Sequence, residues 1–491
     1  MLTAGDASTA KGLDVTELHE LTALEQAAAI RRREISSLEL TEHYIARTDA
    51  TGDTVGAFIT RTDDLARDMA RAADQKVADA DADEPLGDLH GTVVPAKDLV
   101  FVAGVRCTLG SVAYDMTPYG DDHVVTRMKQ GGLVITGKTN TPEFGLPCYT
   151  EPDVAPAART PWDLTRGAGG SSGGAAAAVA AGLASAGHGS DGGGSIRIPA
   201  SVTGLVGIKP ARGRISNGPL RDPVGELPHQ GVLARTVRDA AALLDVLAGP
   251  FPDDPFPAPP LPDGETFLAA AGRDPGRLRI GRYSTPVITV TDVEPECLAA
   301  YEEATALLVE LGHEVEDIPP PFAPEQVASF ESVWSVLGLL TPVAPEDEER
   351  LRPLTRYLRE RGRAVSGLEL AGAVSMMRLI TRMVVNATAA YDVVLTPTLA
   401  KVPALVGGLR DDADPVADFE AQKAFTPYTS PYNVTGQPAM SVPLSWAEVD
   451  GTTLPIGVQL VGRPHDERTL ISVAAQLEEA RSWAWRRPPI W

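Results

Sequence analysis

Two serine-bearing loops and one lysine are the parts of this sequence best suited to chemistry. Between residues 167 and 210 the chain reads GAGGSSGGAAAAVAAGLASAGHGSDGGGSIRIPASVTGLVGIKP. Gly169, Gly170, Gly173 and Gly174 bracket Ser171 and Ser172, and Gly192, Gly193 and Gly194 run directly into Ser195. Glycine clusters permit positive φ and close backbone approach, so several N–H groups can converge on one point beside a serine. An oxyanion hole needs that convergence. The alanine run between the loops suits a helix pressed against neighbouring backbone, holding the two loops rigidly together. A flexible Gly-Ser linker is the competing reading, but linkers do not carry long alanine helices or continue into IRIPASVTGLVGIKP.

A serine nucleophile needs a base, and none of the eight histidines recommends itself. Lysine is the documented alternative in serine hydrolases. Only eight of the 43 basic residues are lysines, and Lys97 lies inside the apolar run VVPAKDLVFV. To act near neutrality its pKa must fall from ~10.4 to ~7 or 8, about 4 kcal/mol, which an apolar pocket can supply. On an extended segment Asp98 points to the opposite face and need not re-stabilise the charge. Taken alone, Lys97 reads more simply as a strand-end lysine that snorkels to water.

Elements must hold these groups in place. Residues 15–33 show apolar residues at helical spacing, and Ser36-x-x-Glu39 is a capping box opening a second helix to about Ala46. A third helix is predicted at about 63–78, followed by the acidic loop DADADEPLGD. Short β-rich runs then alternate with helical ones: 132–136, 205–208, 279–283, 391–395, 439–444 and 456–461. Helices are predicted at 294–312 and from Glu467 to about Trp483. The alternation predicts an α/β fold with a large mixed, mostly parallel central sheet flanked by helices. The N-terminal helical segment, 1–80, would pack on a core domain of 81–491. Within that domain, 249–264 (GPFPDDPFPAPPLPDG) reads as a Pro-rich linker and 320–385 as a partly helical cap over the site. In that cap Phe330, Trp334, Leu337 and Leu340 would line an apolar substrate pocket, although helix packing explains them equally well.

Four motifs match on paper and fail in context. Gly132-x-x-x-x-Gly137-Lys138-Thr139 fits a phosphate-binding loop, but its middle residues are themselves a strand. Gly187-x-Gly189-x-x-Gly192 fits a dinucleotide fingerprint without the strand that should precede it. Gly169-x-Ser171-x-Gly173 fits a nucleophile elbow, again without that strand. Ser8-x-x-Lys11 imitates a β-lactamase pair in a polar terminus. The histidines show no metal-ligand spacing, so no metal and no cofactor are expected.

GGSSGG followed, after the alanine run, by GSIRIPAS, with an upstream lysine, resembles the amidase signature family. The likeness extends through GKTNTPEFG, PWDL, RGRIS, TSPYNVTGQPAMSVPL and PIGVQLVGRP. It implies a Ser-cisSer-Lys triad with Ser195 as nucleophile, Ser171 as the cis serine and Lys97 as base. It maps the oxyanion hole onto Gly192, Gly193, Gly194 and Ser195, and hydrogen-bonding support onto Ser172, Asp191 and Arg197. The implied chemistry is amide hydrolysis through an acyl-enzyme. RGRISNGPL and EPDVAPAARTPWDLTRG are most similar to the 6-aminohexanoate cyclic dimer hydrolase branch and to actinobacterial-type amidases. The resemblance therefore implies a small-molecule amide substrate with an apolar, aryl or cyclic group. The amidase subunit of a glutamine-dependent transamidation complex and a non-catalytic amidase-fold binding protein are the alternatives.

Composition narrows the partners. The 491 residues carry a net charge of −23, which argues against nucleic acid or an anionic membrane surface, both of which need a basic footprint. Three scattered cysteines fit a reducing compartment, and the N-terminus has no signal-peptide core, so a cytoplasmic protein is expected, with a homodimer as the candidate assembly.

Overall fold

The computed structural model describes residues 15–80, 86–220 and 224–491. The Ser8–Lys11 pair and residues 81–85 of the acidic loop lie outside them. Three short strands, β1 (Phe58–Arg61), β2 (Ala96–Lys97) and β3 (Gly137–Thr139), form a small sheet in the order β1-β3-β2. The large sheet has eight strands: β4 (Gly187–Asp191), β5 (Val206–Lys209), β6 (His229–Ala234), β7 (Arg279–Arg282), β8 (Glu314–Asp317), β9 (Val393–Pro397), β10 (Ala439–Val449) and β11 (Thr452–Gly462). Their order is β4-β6-β5-β10-β11-β9-β7-β8.

The sheet is mixed and flanked by helices, as predicted, but parallel pairing does not dominate it. The pairs from β4 through β6, β5, β10 and β11 to β9 are all antiparallel, and only β9–β7 and β7–β8 are parallel. Two causes are visible. The β4–helix–β5 unit makes a parallel crossover, but β6 inserts between its strands and pairs antiparallel with both. Strands β10 and β11 form a hairpin about Asp450 and Gly451, both at positive φ (51° and 82°), the Asp-Gly turn that suits the twist of adjoining strands.

The N-terminal part is helical. Ser36 caps the helix Ser37–Val55, accepting from Glu39 N, while the Glu39 carboxylate accepts from Ser36 N at 2.7 Å. That helix continues past the predicted end near Ala46 because its inner face is carried by Thr48, Gly52 and Val55, which apolar periodicity under-reads. The predicted strand at 132–136 is displaced to 137–139, leaving Val134 in an isolated bridge to Val93.

One face of the large sheet packs Val232, Met440, Val442, Val458 and Leu460 against the helices Val237–Leu247, Pro295–Glu310 and Glu467–Ala480. The other face carries the helices Gly173–Ala180 and Arg197–Thr203, in contact through Ala175, Val179, Ile196 and Ala200. Residues 320–385 hold three helices, Val327–Leu340, Pro353–Ala364 and Gly367–Thr388, gathered around Leu146, Val333, Leu358, Met377 and Ile380. The Pro-rich stretch has no regular element between Leu247 and Phe267 and lies against the 213–216 loop, with Ala258 N donating to Gly213 O at 2.9 Å.

Candidate active site

Lys97 ends β2 beside β4, and its backbone N–H donates to Nδ1 of His188 at 3.2 Å. His188 is buried, which pushes its pKa down to about 4, so the neutral ring accepts at Nδ1 and donates from Nε2 to Gln230 Oε1 at 3.0 Å. Side chains alternate along a strand, so His188 and Ser190 share one face of β4 and both meet Lys97. Lys97 Nζ lies 2.9 Å from Ser171 Oγ, 2.8 Å from Ser172 Oγ and 3.1 Å from both Ser190 O and Ser190 Oγ.

Among the described residues no carboxylate touches this amine. Asp98 faces the other way, pairing with the equally buried Lys138 at 2.7 Å and accepting from Thr108 N and Oγ1. That pairing also disposes of the phosphate-loop match, because Lys138 is fully buried on β3. Lys97 itself is 0% exposed, and burial drives its pKa well below the ordinary lysine value, only partly opposed by the charge of Asp191.

Ser171 and Ser172 precede the helix Gly173–Ala180, and the peptide bond between Gly170 and Ser171 is cis. Ser172 occupies the N-cap position but makes no capping hydrogen bond. Its hydroxyl is turned to Lys97 and to Ser190, accepting from Ser190 N at 3.2 Å. The helix can press this closely because Gly174 has no Cβ, which would come within 2.5 Å of the Ala57 carbonyl oxygen.

Ser195 lies between β4 and the helix Arg197–Thr203, and its carbonyl accepts from Ser172 N at 3.1 Å, tying the two serine loops together. Asp191 shapes the intervening turn, accepting from Gly194 N at 2.7 Å and Ile196 N at 3.2 Å. Gly194 has φ +132°, and a Cβ there would lie 2.7 Å from Ile198 Cδ1 and overlap Thr429 Oγ1, so only glycine fits. Of the four N–H groups expected to form an oxyanion hole, that of Gly194 is therefore already spent on Asp191. Among the described residues those of Gly192, Gly193 and Ser195 have no hydrogen-bond partner. The hydroxyls of Ser171 and Ser195 are not hydrogen-bonded to each other in this arrangement.

Arg197 is the buried hub beneath the turn. It makes a two-pronged contact with Asp191 (2.9 and 2.8 Å) and reaches Thr429 O, Gln459 Oε1 and Asn433 Oδ1 at 2.8, 2.6 and 2.7 Å. Burial alone would raise the Asp191 pKa, but Arg197, Lys209 and Asn433 outweigh it and hold the carboxyl well below the usual range. Asn433 also donates to Asp191 O at 2.7 Å. Arg197→Met is expected to cost about 3–5 kcal/mol in urea unfolding, since it leaves a buried carboxylate without its cation. A loss below 1 kcal/mol would contradict this account.

The serines open onto two chambers. The smaller, of about 90 Å³, is bounded by Ser195, Gly193, Cys148, Phe330 and Trp334 among others. The larger, of about 450 Å³, is bounded by Ser171, Ser190, Gly192, Leu99, Tyr114 and Leu337 among others. Trp334 and Leu146 border both. Phe330 stacks on Trp334 at 5.3 Å with the rings 18° apart. Every residue predicted for the site thus falls in one region. Sequence reasoning missed Ser190, His188, Thr429, Asn433 and Gln459. Once 187–191 is seen as a strand, its period of two points to the first two. The others lie inside the TSPYNVTGQPAMSVPL and PIGVQLVGRP motifs, which carry the partners of Arg197. Among the described residues no group of three His, Cys, Asp or Glu side chains is arranged to hold a metal ion.

Residues 39–471 match the family model described as Amidase. The 6-aminohexanoate-cyclic-dimer hydrolase of Paenarthrobacter ureafaciens is 37% identical over 492 residues, spanning 95% of this chain and 96% of its own. A solved 6-aminohexanoate cyclic dimer hydrolase superposes with a TM-score of 0.88 at 34% identity, covering 97% of this chain and 99% of that one. A bacterial aryl acylamidase of the amidase signature family does so with a TM-score of 0.83 at 25% identity, covering 95% and 97%. The chain accordingly belongs to the amidase family and is a hydrolase of carbon–nitrogen bonds.

Proposed function

We propose that the protein hydrolyses a small carboxamide carrying an apolar, aryl or cyclic group through an acyl-enzyme on Ser195. Neutral Lys97 takes the proton of Ser171, which takes that of Ser195 as its Oγ attacks the carbonyl carbon. The carbonyl π electrons move to oxygen, which accepts from the N–H groups of Gly192, Gly193 and Ser195. One such donor is worth about 3–4 kcal/mol of transition-state stabilisation. Collapse breaks the C–N bond, Ser171 returns a proton to the leaving nitrogen, and water then releases the acid by the same route. The Ser171–Ser195 contact that this relay needs is of a kind that commonly tightens only when substrate binds.

The single observation that carries the reading is a buried lysine, free of any carboxylate contact, 2.9 Å from a serine hydroxyl that has no other hydrogen-bond partner among the described residues. Proton counting supports the direction. Ser190 O can only accept, and the Ser172 hydroxyl has that same carbonyl within 3.1 Å. Two amine N–H groups can therefore face Ser190 O and Ser172 Oγ, which leaves the nitrogen lone pair for a hydroxyl, and Ser171 Oγ at 2.9 Å is nearer than Ser190 Oγ at 3.1 Å. Asp191, Arg197 and Ser172 are positioning residues in this scheme, and the helices of 320–385 serve as its cap, borne by one domain of 81–491 with the N-terminal helices packed on it. Labelling with a fluorophosphonate or sulfonyl fluoride and mapping the adduct tests the nucleophile: one adduct on Ser195 is expected, and modification elsewhere sinks the assignment. Three buried cysteines, Cys107, Cys148 and Cys297, support a reducing, cytoplasmic setting. Among the described residues no helix is long and apolar enough to cross a membrane.

A further inference from the structure

Ser195 and Ser171 open onto different chambers, and that separation gives the substrate a direction. Ser195 and Gly193 border the smaller chamber only, and Ser171 and Ser190 border the larger only. Between the two stands Trp334, whose ring would lie 3.0 Å from a Cβ on Gly192. The proton that frees the leaving nitrogen comes from Ser171, so that nitrogen must come within hydrogen-bond reach of Ser171 Oγ. Whatever substituent the nitrogen carries then extends into the larger chamber. The acyl group, bonded to Ser195 Oγ, is left with the smaller.

Volume and lining then set the chemistry. An apolar cavity of about 150 Å³ holds a benzene ring. About 90 Å³ falls short of that, whereas about 450 Å³ lies within the range of pockets that enclose drug-sized ligands. None of the described residues bordering the larger chamber is charged. Its two amides are each hydrogen-bonded, Gln230 Nε2 to Asn217 Oδ1 at 3.0 Å and Asn217 Nδ2 to Pro228 O at 3.1 Å. Beside the hydroxyl residues Tyr114, Thr341, Ser171 and Ser190 the wall is apolar, with Leu99, Phe101, Phe144 and Leu337 among its residues. The charged side chains at the smaller chamber, Glu331 and Lys423, neutralise each other at 2.8 Å.

We infer that the enzyme is specific for N-substituted amides in which a short acyl group is joined to a bulky, uncharged, apolar amine, and that the larger chamber is the leaving-amine site. This rests on the serine acyl-enzyme proposed above. Primary amides, which release ammonia, and amides of charged amines leave that chamber unfilled or bury a charge within it.

Two isomers of equal composition and comparable intrinsic reactivity provide the test: N-benzylacetamide, with the ring on the amine, and N-methyl-2-phenylacetamide, with the ring on the acyl group. The kcat/KM of the full-length enzyme is expected to favour the first by at least about 10-fold, the discrimination that a pocket exerts on a misfitting apolar group. Leu337→Trp, which narrows the larger chamber, is expected to shrink that ratio at least about fivefold. Adduct mapping on Ser195 in both proteins accompanies the kinetics. A ratio of one, or one that favours the phenylacetyl isomer, with Ser195 still labelled, overturns the chamber assignment alone. An enzyme that turns over amides with no adduct on Ser195 overturns the serine reading, and this inference with it.

Discussion

Ser195→Ala is expected to lower kcat/KM about 10⁶-fold for every amide the enzyme turns over, the loss that follows removal of a serine nucleophile. The substitution takes away the atom proposed to attack and nothing else that the turn uses. Ser195 Oγ has no hydrogen-bond partner among the described residues, while the N–H of the residue and the carbonyl that accepts from Ser172 N belong to the backbone and stay. Its φ is not in the left-handed region, so alanine fits without strain. Unfolding free energy should therefore change by no more than about 0.5 kcal/mol, and calorimetric affinity for N-benzylacetamide should persist. Residual turnover of a tenth or more, in protein freed of wild-type carry-over, would remove Ser195 from the chemistry.

That arrangement was partly legible before any fold was known, and the reasons differ by residue. Ser171, Ser172 and Ser195 stand out because glycine gathers around them where backbone must approach closely, and the structure shows the need at Gly174 and Gly194. Lys97 stands out because lysine is scarce and the surrounding run is apolar. The strand that carries His188 and Ser190 was hidden. GHGSD is buried along its whole length between the Gly173–Ala180 helix and its neighbours, so its small residues meet backbone and show no apolar alternation. The antiparallel character of the sheet was hidden for a different reason: alternating helices and strands report crossovers, not which strand later inserts between two others, as β6 does. The Asp450-Gly451 turn was readable and would have revealed the longest hairpin. The two chambers belong to neither class, because they arise where residues about 200 apart, Leu99 and Leu337 or Cys148 and Trp334, border one space.

Lys97→Met is expected to cost about 10⁴-fold in kcat/KM, the upper range for loss of general-base catalysis, and to change two pH profiles in ways that loss of packing would not. Burial, the largest influence on the amine, lowers its pKa in the folded protein, and the Asp191 charge opposes this only in part. In the proposed relay the active form is the neutral one. In the wild type log(kcat/KM) should thus rise with unit slope as pH increases towards the folded pKa of Lys97 and level off above it. His188, pushed down to about 4, and Asp191, held below the usual carboxylate range, keep one charge state from pH 6 to 9 and contribute no limb there. The methionine variant should lose the rising limb. Stability supplies the independent readout. Between the lowered folded pKa and the unfolded value of ~10.4, the unfolded chain binds a proton at this residue that the folded chain does not. Folding is therefore favoured as pH rises across that window, by about 1.4 kcal/mol per pH unit for one proton, and the gain is lost as pH falls towards the folded pKa. Lys209, also buried and shifted downward, adds a slope of the same sign to both proteins and cancels in the comparison. Urea unfolding from pH 8 to 10 should accordingly give a shallower slope for Lys97→Met by about that amount. Equal slopes would mean that Lys97 is protonated in the folded enzyme, and an amine already holding its proton cannot start the relay through Ser171.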